Sequence, residues 1–567
     1  MLRSADDAPR ATRDRVRVAK GTSRGRAAAV LAAATLAGSL VAACSAPEPT
    51  PAPSTSTVTQ TPQVPIAVSA LPMATDLRPA NVEDPYTQRV LGLLLRGLVR
   101  YDAKGKAVNE VAEAIETTDN QVYTVRLQRN WRFTDGQAVT ASSFVDAWNY
   151  AAARANGQYR SRDFAPILGY EAMQLPATQA GAATQLAGLQ VLDDYSFRIT
   201  LTQPEPGFQD SLGRLSFAPL PRAALSDPTA WSSHPVGNGP YRLEGAWPQN
   251  PVGGTTIRLR PNPEYVGGQT PQNTGIDMHV YDTAAAAYAD LATGTLDVVD
   301  QVPVSELPRY RTTLGSRAVN QPVGVAQSIV FPLHRDPWQG ERGLLLRQTI
   351  STSIDRDALA SGLLSGTALP ATDLAAPVVE GYSGDVCGQW CTRAQTTAAN
   401  AFHEAGGWDG PLTIAYAADG DDGPVATEVC REVTQALGLA CQPRTYATLR
   451  ELREAVALGR ETGPYLETWR MPQPTLAAFL LPRFSTGAPD NGSGYSNDVV
   501  DTRMSAASTA ATSAQPGAYA QIEPLIMGTL PVVPLWSRNA VGGAGENVTG
   551  VRTDVFGSPV YPEITRN

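Results

Sequence analysis

Runs of period-two apolar alternation interleave with runs of helical period along most of this chain, and that order restricts the folds open to it. From about residue 255 the pattern reads strand (Ile257–Arg260), strand (Ile276–Tyr281), alanine-rich helix (283–292) and strand (Thr295–Val299). After residue 325, helices at 341–352 and 355–364 precede a strand at Leu412–Ala417 and a helix at 424–437. A strand near 439–445, a helix at 447–458 and a strand at Pro464–Arg470 follow. Such interleaving predicts α/β lobes with largely parallel sheets. Earlier, Val122–Gln128 and Tyr195–Leu201 alternate as half-buried strands do. Between them Asp135-Gly136 signals a turn, and Thr140 is placed to cap a helix carrying Phe144, Val145 and Trp148. No repeat of fixed period is visible.

The first 64 residues do not share this pattern. A basic leader is followed by an uncharged run from Ala27 to Ala43, closing on Val41-Ala42-Ala43-Cys44. A charged start, a short apolar stretch and small residues before a cleavage point make a secretory signal. The run is 17 residues, at the bottom of the spanning range, and mostly alanine, which argues against a transmembrane helix. The placement of Cys44 resembles the lipobox of bacterial lipoproteins, which implies a signal peptide over 1–43, lipidation of Cys44 and export to the outer face of the cell membrane. Residues 44–64, rich in Pro, Ser and Thr with one charge, are expected to be an extended spacer. At ~3.1 Å per residue such a spacer could reach roughly 60 Å.

Charge and cysteine content narrow the function classes. Removing 1–43 takes away eight of the 45 basic and three of the 54 acidic residues, so the mature chain is decidedly acidic. Without a basic excess to neutralise phosphates, nucleic acid is excluded as a partner. Four cysteines remain beside Cys44: Cys387, Cys391, Cys430 and Cys441. In an exported chain an even number reads as two disulfides, with the local pairs Cys387–Cys391 and Cys430–Cys441 expected among three connectivities. A zinc site is the alternative, but no second ligand pair stands near the CxxxC and His403 is isolated.

Several short motifs then occur in a recognisable order. They are Leu94-Leu-Arg-Gly-Leu-Val-Arg-Tyr-Asp-Ala-Lys-Gly-Lys, Phe133-Thr-Asp-Gly-Gln-Ala-Val-Thr-Ala, Gly237-Asn-Gly-Pro-Tyr-Arg-Leu, Arg260-Pro-Asn-Pro-Glu-Tyr and Leu291-Ala-Thr-Gly-Thr-Leu-Asp-Val. Next come Leu346-Arg-Gln-Thr-Ile-Ser-Thr-Ser-Ile-Asp-Arg-Asp-Ala-Leu, Gly494-Tyr-Ser-Asn-Asp-Val-Val-Asp and Pro531-Val-Val-Pro-Leu-Trp. Together, over about residues 66–550, they resemble the extracellular solute-binding proteins of ABC importers, specifically the oligopeptide/dipeptide-binding family.

That resemblance implies a two-lobed α/β, periplasmic-binding-protein-like fold of type II, in its three-subdomain peptide-binding class. Lobe I would comprise 65–90, 225–322 and 528–567, with an inserted subdomain at 91–224; lobe II would span 323–527. It also implies a monomer that closes on a peptide, delivers it to ABC permease subunits with cytoplasmic ATPases, is held at the membrane by its lipid, and needs no cofactor. An extended peptide offers one N–H and one C=O per residue whatever its sequence, so strand edges in a cleft can hold it.

The resemblance breaks at the strand Tyr465–Met471. Peptide-binding members carry an aspartate there that meets the ligand's α-ammonium, whereas this chain reads Trp469-Arg470-Met471-Pro472-Gln473-Pro474. The candidates to replace it are Glu467, which shares strand parity with Trp469, and Glu83 or Asp84 in the first loop. Trp469 is a candidate wall of the ligand site, and Arg470 a candidate holder of a carboxylate or other anion. Arg78, in Thr75-Asp-Leu-Arg-Pro, stands where the family usually has an acid and would alter charge near the cleft mouth. The missing aspartate opens an alternative ligand class: haem, a metal chelate, a glycan or a siderophore-like molecule. An exported hydrolase is the other alternative. Yet the mature chain has no GxSxG elbow, HExxH helix or P-loop, and His234, His279, His334 and His403 are scattered.

Overall fold

The computed structural model describes residues 64–567 apart from 83, 206, 405, 408, 409 and 419–421. The leader, Cys44 and the spacer up to residue 63 lie outside the described residues, as does Glu83.

Two strands of 13 residues, Ala318–Val330 and Val532–Ala544, pair with each other and run through both lobes. Around them the sheet order is Cys441–Tyr446, Leu412–Ala417, Tyr465–Arg470, Ala318–Val330, Val532–Ala544, Val298–Val299, Ile66–Ala70, Ile276–Val280, Thr256–Pro261 and Tyr241–Glu244. The short strand Ala368–Pro370 joins the side of Val532–Ala544. Among the strands of this sheet, parallel pairing occurs between Ile66–Ala70 and its two neighbours and between Leu412–Ala417 and its two. The sheets are thus mixed rather than largely parallel. One reason is that the chain leaves and re-enters the first lobe, so the two crossing strands must run in opposite directions. A second sheet of four antiparallel strands, in the order Ala112–Glu116, Val122–Leu127, Ser196–Thr200 and Leu189–Asp193, belongs to the segment 91–224. Val122–Leu127 buries alternate residues, as its pattern requires.

Two large cores hold these layers. The first joins Ile66–Ala70 and its neighbours to Phe144, Trp148, Phe164, Phe197 and Phe217 of 91–224, so that segment shares the first lobe's core. The rings of Trp148 and Phe217 meet edge to face at 5.1 Å, an arrangement favoured by the aromatic quadrupole. The second core gathers residues between Ala326 and Trp536. Val532, Val533, Leu535 and Trp536, in the segment 528–567 expected in lobe I, pack in this second core. The chain passes to the first lobe beyond Arg538, where pairing with Ala368–Pro370 ends and pairing with Val298–Val299 follows at Gly543 and Ala544. A central strand this long, apolar on both faces at its start, serves both lobes.

Local chemistry fixes these pieces. Cβ atoms at Gly237 and Gly239 would come within 2.0 and 2.2 Å of the Leu94 and Leu93 carbonyls, so only glycine lets this turn dock on the helix Pro85–Leu94. Asn238 between them locks the join, exchanging hydrogen bonds of 2.9 Å with the Arg96 backbone N–H and C=O. In the second lobe two buried arginines grip the start of the return crossing. Arg347 Nε donates to the Leu530 carbonyl (2.9 Å) and Arg356 Nε to that of Pro534 (2.7 Å). Burial pushes both guanidinium groups down to about 10. The structure joins Cys387 to Cys391 and Cys430 to Cys441 as disulfides, with Cα separations of 5.6 and 4.9 Å.

Candidate functional site

Where the two crossing strands pass from lobe to lobe their ladder is interrupted. Residues 318–322 pair with 539–543 and residues 326–330 with 532–537, leaving Val323–Val325 outside this pairing. Gly324 instead donates to the Val555 carbonyl (2.8 Å) and accepts from Met471 N–H (2.9 Å). A Cβ at Gly324 would lie 2.1 Å from Met471 Sδ, so any larger residue there must displace the Met471 side chain. Next to this break the strand Tyr465–Arg470 ends, with Arg470 opposite Val325.

One face of the neighbouring strands carries a connected polar network. Thr468, Gln327 and Trp536 are lateral neighbours on three adjacent strands. Gln327, 1% exposed, is the hub. Its Nε2 donates to Asp422 Oδ1 (2.6 Å) and Thr468 Oγ1 (3.1 Å), and its Oε1 accepts from Trp536 Nε1 (2.7 Å) and Arg538 (2.9 Å). Arg538 also donates to Asp422 Oδ1 (3.2 Å). Asp422 opens the helix Asp422–Leu437 and so lies against this face from above the sheet plane. Every polar group of a buried hub must be satisfied, and here it is.

The first lobe answers across the crossover. Arg89, on the helix Pro85–Leu94, is ion-paired to Asp300 and donates to Ser558 Oγ (3.2 Å). Asp300 also accepts from Ser69 Oγ (3.1 Å) and the Tyr86 hydroxyl (3.4 Å). Burial alone would lower Arg89, but Asp300 prevails and holds the guanidinium charged. Burial, then Asp300, pushes the Tyr86 hydroxyl well above the usual phenol range.

Arg470 stands between these groups. It is exposed to water and makes no hydrogen bond or ion pair with the described residues. Charges from both lobes nevertheless reach it. The surrounding protein, then Arg538 and Arg89, lower its pKa, with Asp422 and Tyr86 acting the other way. A side chain wetted by solvent yet within the field of both lobes faces the space between them.

The other expected residues are engaged elsewhere. Glu467 accepts from Arg483 Nε (2.9 Å), and Arg483 also donates to Ser328 Oγ (3.1 Å). Trp469, on the same strand face, donates its indole N–H to the Ala478 carbonyl (3.1 Å) and lies 5.8 Å below the Arg483 guanidinium. Both are therefore engaged with the helix Leu476–Phe484, on the strand face opposite Arg470. Asp84 caps the helix Pro85–Leu94, accepting from Thr87 N–H at 2.8 Å and from Ala74 N–H at 3.3 Å, so its carboxylate is likewise occupied. Arg78 is bound to Asp76 and the Tyr150 hydroxyl (2.8 Å), a local ion pair rather than a cleft-mouth cation. Asp422, Gln327, Arg538, Arg89 and Asp300 were not singled out in the sequence; a helix-opening acid or a strand glutamine carries no signal of its own. Among the described residues no group of three or more His, Cys, Asp or Glu side chains could hold a metal ion.

Beside the crossover the lobes touch again. Arg214 donates to Gln473 Oε1 (2.6 and 3.1 Å) across the gap and to Asp163 Oδ1 (3.0 Å) in its own lobe. Pro474 presses on Gly105, whose φ of +80° and 2.8 Å clearance for a Cβ both demand glycine.

Comparison with known proteins fits this geometry. The family model described as bacterial extracellular solute-binding proteins, family 5 Middle, matches residues 106–491. The probable deoxycholate-binding periplasmic protein YgiS of Escherichia coli is 27% identical over 54% of this chain and 56% of its own length. The periplasmic oligopeptide-binding protein OppA of Salmonella typhimurium is 26% identical over 54% and 55%. The chain thus spans a little over half the length of these curated relatives. The unliganded open form of the murein tripeptide-binding protein MppA superposes with a TM-score of 0.74 at 19% identity, covering 89% of this chain and 98% of that one. This likeness shows a type II periplasmic-binding-protein fold of mixed α/β content.

Proposed function

Since the chain belongs to the bacterial extracellular solute-binding proteins of family 5, we propose that it captures oligopeptides between its two lobes and delivers them to the permease of an ABC importer. The observation that carries this reading is the paired crossing strands, interrupted at Val323–Val325, between two lobes with separate cores. Two strands broken at one level form a natural hinge, and rotation there would open and shut the space that Arg470 faces. A peptide lying in that space would pair its backbone with strand edges, and its side chains would enter water-filled room that adapts to each residue. Closure need favour the bound state only by the ligand's differential affinity, and the closed shape is what a permease would recognise.

The leader and Cys44 support attachment to the outer face of the cell membrane through lipid, with 44–64 as the tether. Cys44→Ala should release the protein from membranes; retention of the whole population there would end that part of the reading. For capture itself, native mass spectrometry of the purified protein, followed by titration with a peptide library, should find peptides bound and returned intact. Cleaved peptides would show an enzyme instead.

A second reading replaces the peptide with a non-peptide acid. It is favoured by the relative YgiS, whose name gives it as probably deoxycholate-binding. The same titration with bile acids separates the two.

A further inference from the structure

We propose that the cleft takes its ligand by a carboxylate held on Arg470, so that its substrates are peptides presenting a carboxylate at the crossover end. The inference rests on the capture reading above and names the chemical class that reading leaves open.

At the crossover the charged side chains around Arg470 are Arg89 and Arg538 with Asp300 and Asp422, and beyond them Asp554, beside Arg89, whose carboxylate accepts from the backbone N–H groups of Phe556 and Ser558. Arg89 has Asp300, and Arg538 has Asp422. Arg470 has neither, and its side chain makes no hydrogen bond with the described residues although it adjoins the network in which Gln327 is matched on both its oxygen and its nitrogen; Arg538 Nε, buried, is the other donor there without a partner. The ladder fixes its direction: Arg470 shares a strand face with Thr468, on the network's side, while Glu467 and Trp469 turn to the helix beneath. A guanidinium is a planar fork of donors that matches a carboxylate two bonds at a time. Left without an anion near Arg538 and Arg89, its charge is disfavoured, and an arriving carboxylate relieves that.

The opposite arrangement fits poorly. Asp422 is the acid of this group nearest Arg470's network, and its Oδ1 already accepts from Gln327 and Arg538. An α-ammonium brought to its other oxygen would lie within the field of three arginines.

The test is calorimetric titration of the whole protein with short alanine–leucine peptides of graded length. Each is used free, N-acetylated, C-amidated, and C-amidated with one glutamate added; a hydrophobic monocarboxylic acid serves as the non-peptide arm. Wild type and Arg470→Gln are compared, with thermal midpoints measured for both. N-acetylation should leave affinity nearly unchanged. C-amidation should weaken it by roughly tenfold or more, the range of one charge-assisted contact. Arg470→Gln should lose as much on the free peptide, no longer distinguish free from amidated, and unfold at or above the wild-type midpoint, because the side chain bonds to nothing in the protein and its charge is disfavoured beside Arg538 and Arg89. Affinity restored by the glutamate, and lost again in Arg470→Gln, would assign the site to an acidic side chain; binding of the monocarboxylic acid that Arg470→Gln abolishes would support the same anion site. Binding that survives amidation but not acetylation, or an Arg470→Gln protein that binds every probe as wild type does, overturns the inference while leaving peptide capture standing. A wild-type protein that binds none of the peptides overturns the capture reading, and this substrate class with it.

Discussion

Glu523 is buried without any accessible surface, and neither of its carboxyl oxygens meets a hydrogen-bond donor of the protein. Its neighbour is another acid, Asp373, whose carboxylate is already served by the backbone N–H groups of Ala375 (3.2 Å) and Gly384 (3.1 Å) and by Ser383. Two acids side by side in an apolar lobe disfavour a second negative charge, and Glu523, which no donor serves, is the one whose ionised form burial penalises. Burial first, and Asp373 second, push Glu523 from 4.5 up to about 10. The folded chain therefore holds a proton that the unfolded chain releases. Stability from this group is whole below pH 4.5 and is lost progressively as pH rises toward about 10. The slope is about 1.4 kcal/mol per pH unit, so at neutrality the cost reaches about 3 kcal/mol. Glu523→Gln removes the titration and supplies an amide N–H for Asp373. It should stabilise the protein by about 2 kcal/mol at pH 7, less at acid pH and more at alkaline pH. Urea unfolding of both proteins at about pH 5.5, 7 and 8.5 measures this directly. Their difference should widen steadily with pH. Parallel curves would refute the buried-proton reasoning outright.

Other perturbations test the site's scaffold. Trp469→Ala should lower stability by roughly 2–4 kcal/mol through lost packing on the helix Leu476–Phe484, with little effect on carboxylate recognition; thermal unfolding and titration together read both. Gln327→Leu strips partners from Trp536, Arg538 and Asp422 at once and should cost roughly 2–4 kcal/mol in denaturant unfolding. Gln473→Ala removes the cross-lobe acceptor of Arg214, a largely buried bond to a charged group worth about 1.5–3 kcal/mol. Scattering from the ligand-free protein should then report a more extended particle, and an unchanged profile would show that this contact does not hold the lobes together.

Elements with a clean period were legible in the sequence. Leu412–Ala417 was expected and is observed with those bounds, and the strands around Val122, Ile257, Ile276 and Tyr465 fall within a residue or two of their expected ends. The two crossing strands were not read as strands. Their inner halves are buried on both faces and show no regular apolar alternation, and each strand contains a proline, Pro322 and Pro534, which ordinarily argues against a central strand. The ladder explains the exception. Pro322 lies at the edge of the unpaired gap, and Pro534 follows the register shift between Gln327 and Ser328, where a missing N–H removes little from the pairing.

The site was legible only in part, for a geometric reason. Strand parity correctly put Glu467 with Trp469 and set Arg470 apart, but parity cannot say which face a helix will cover. Once Leu476–Phe484 covers the Glu467 side, Arg470 is the residue left for the cleft. Nor can parity find partners: Gln327 meets Asp422 from 95 residues away and Arg538 from 211, brought together by lateral neighbours across three strands. The features that define the chemistry here are therefore products of topology, and an arginine that looked like a local departure in the sequence becomes the unmatched charge of a network assembled from the whole second lobe.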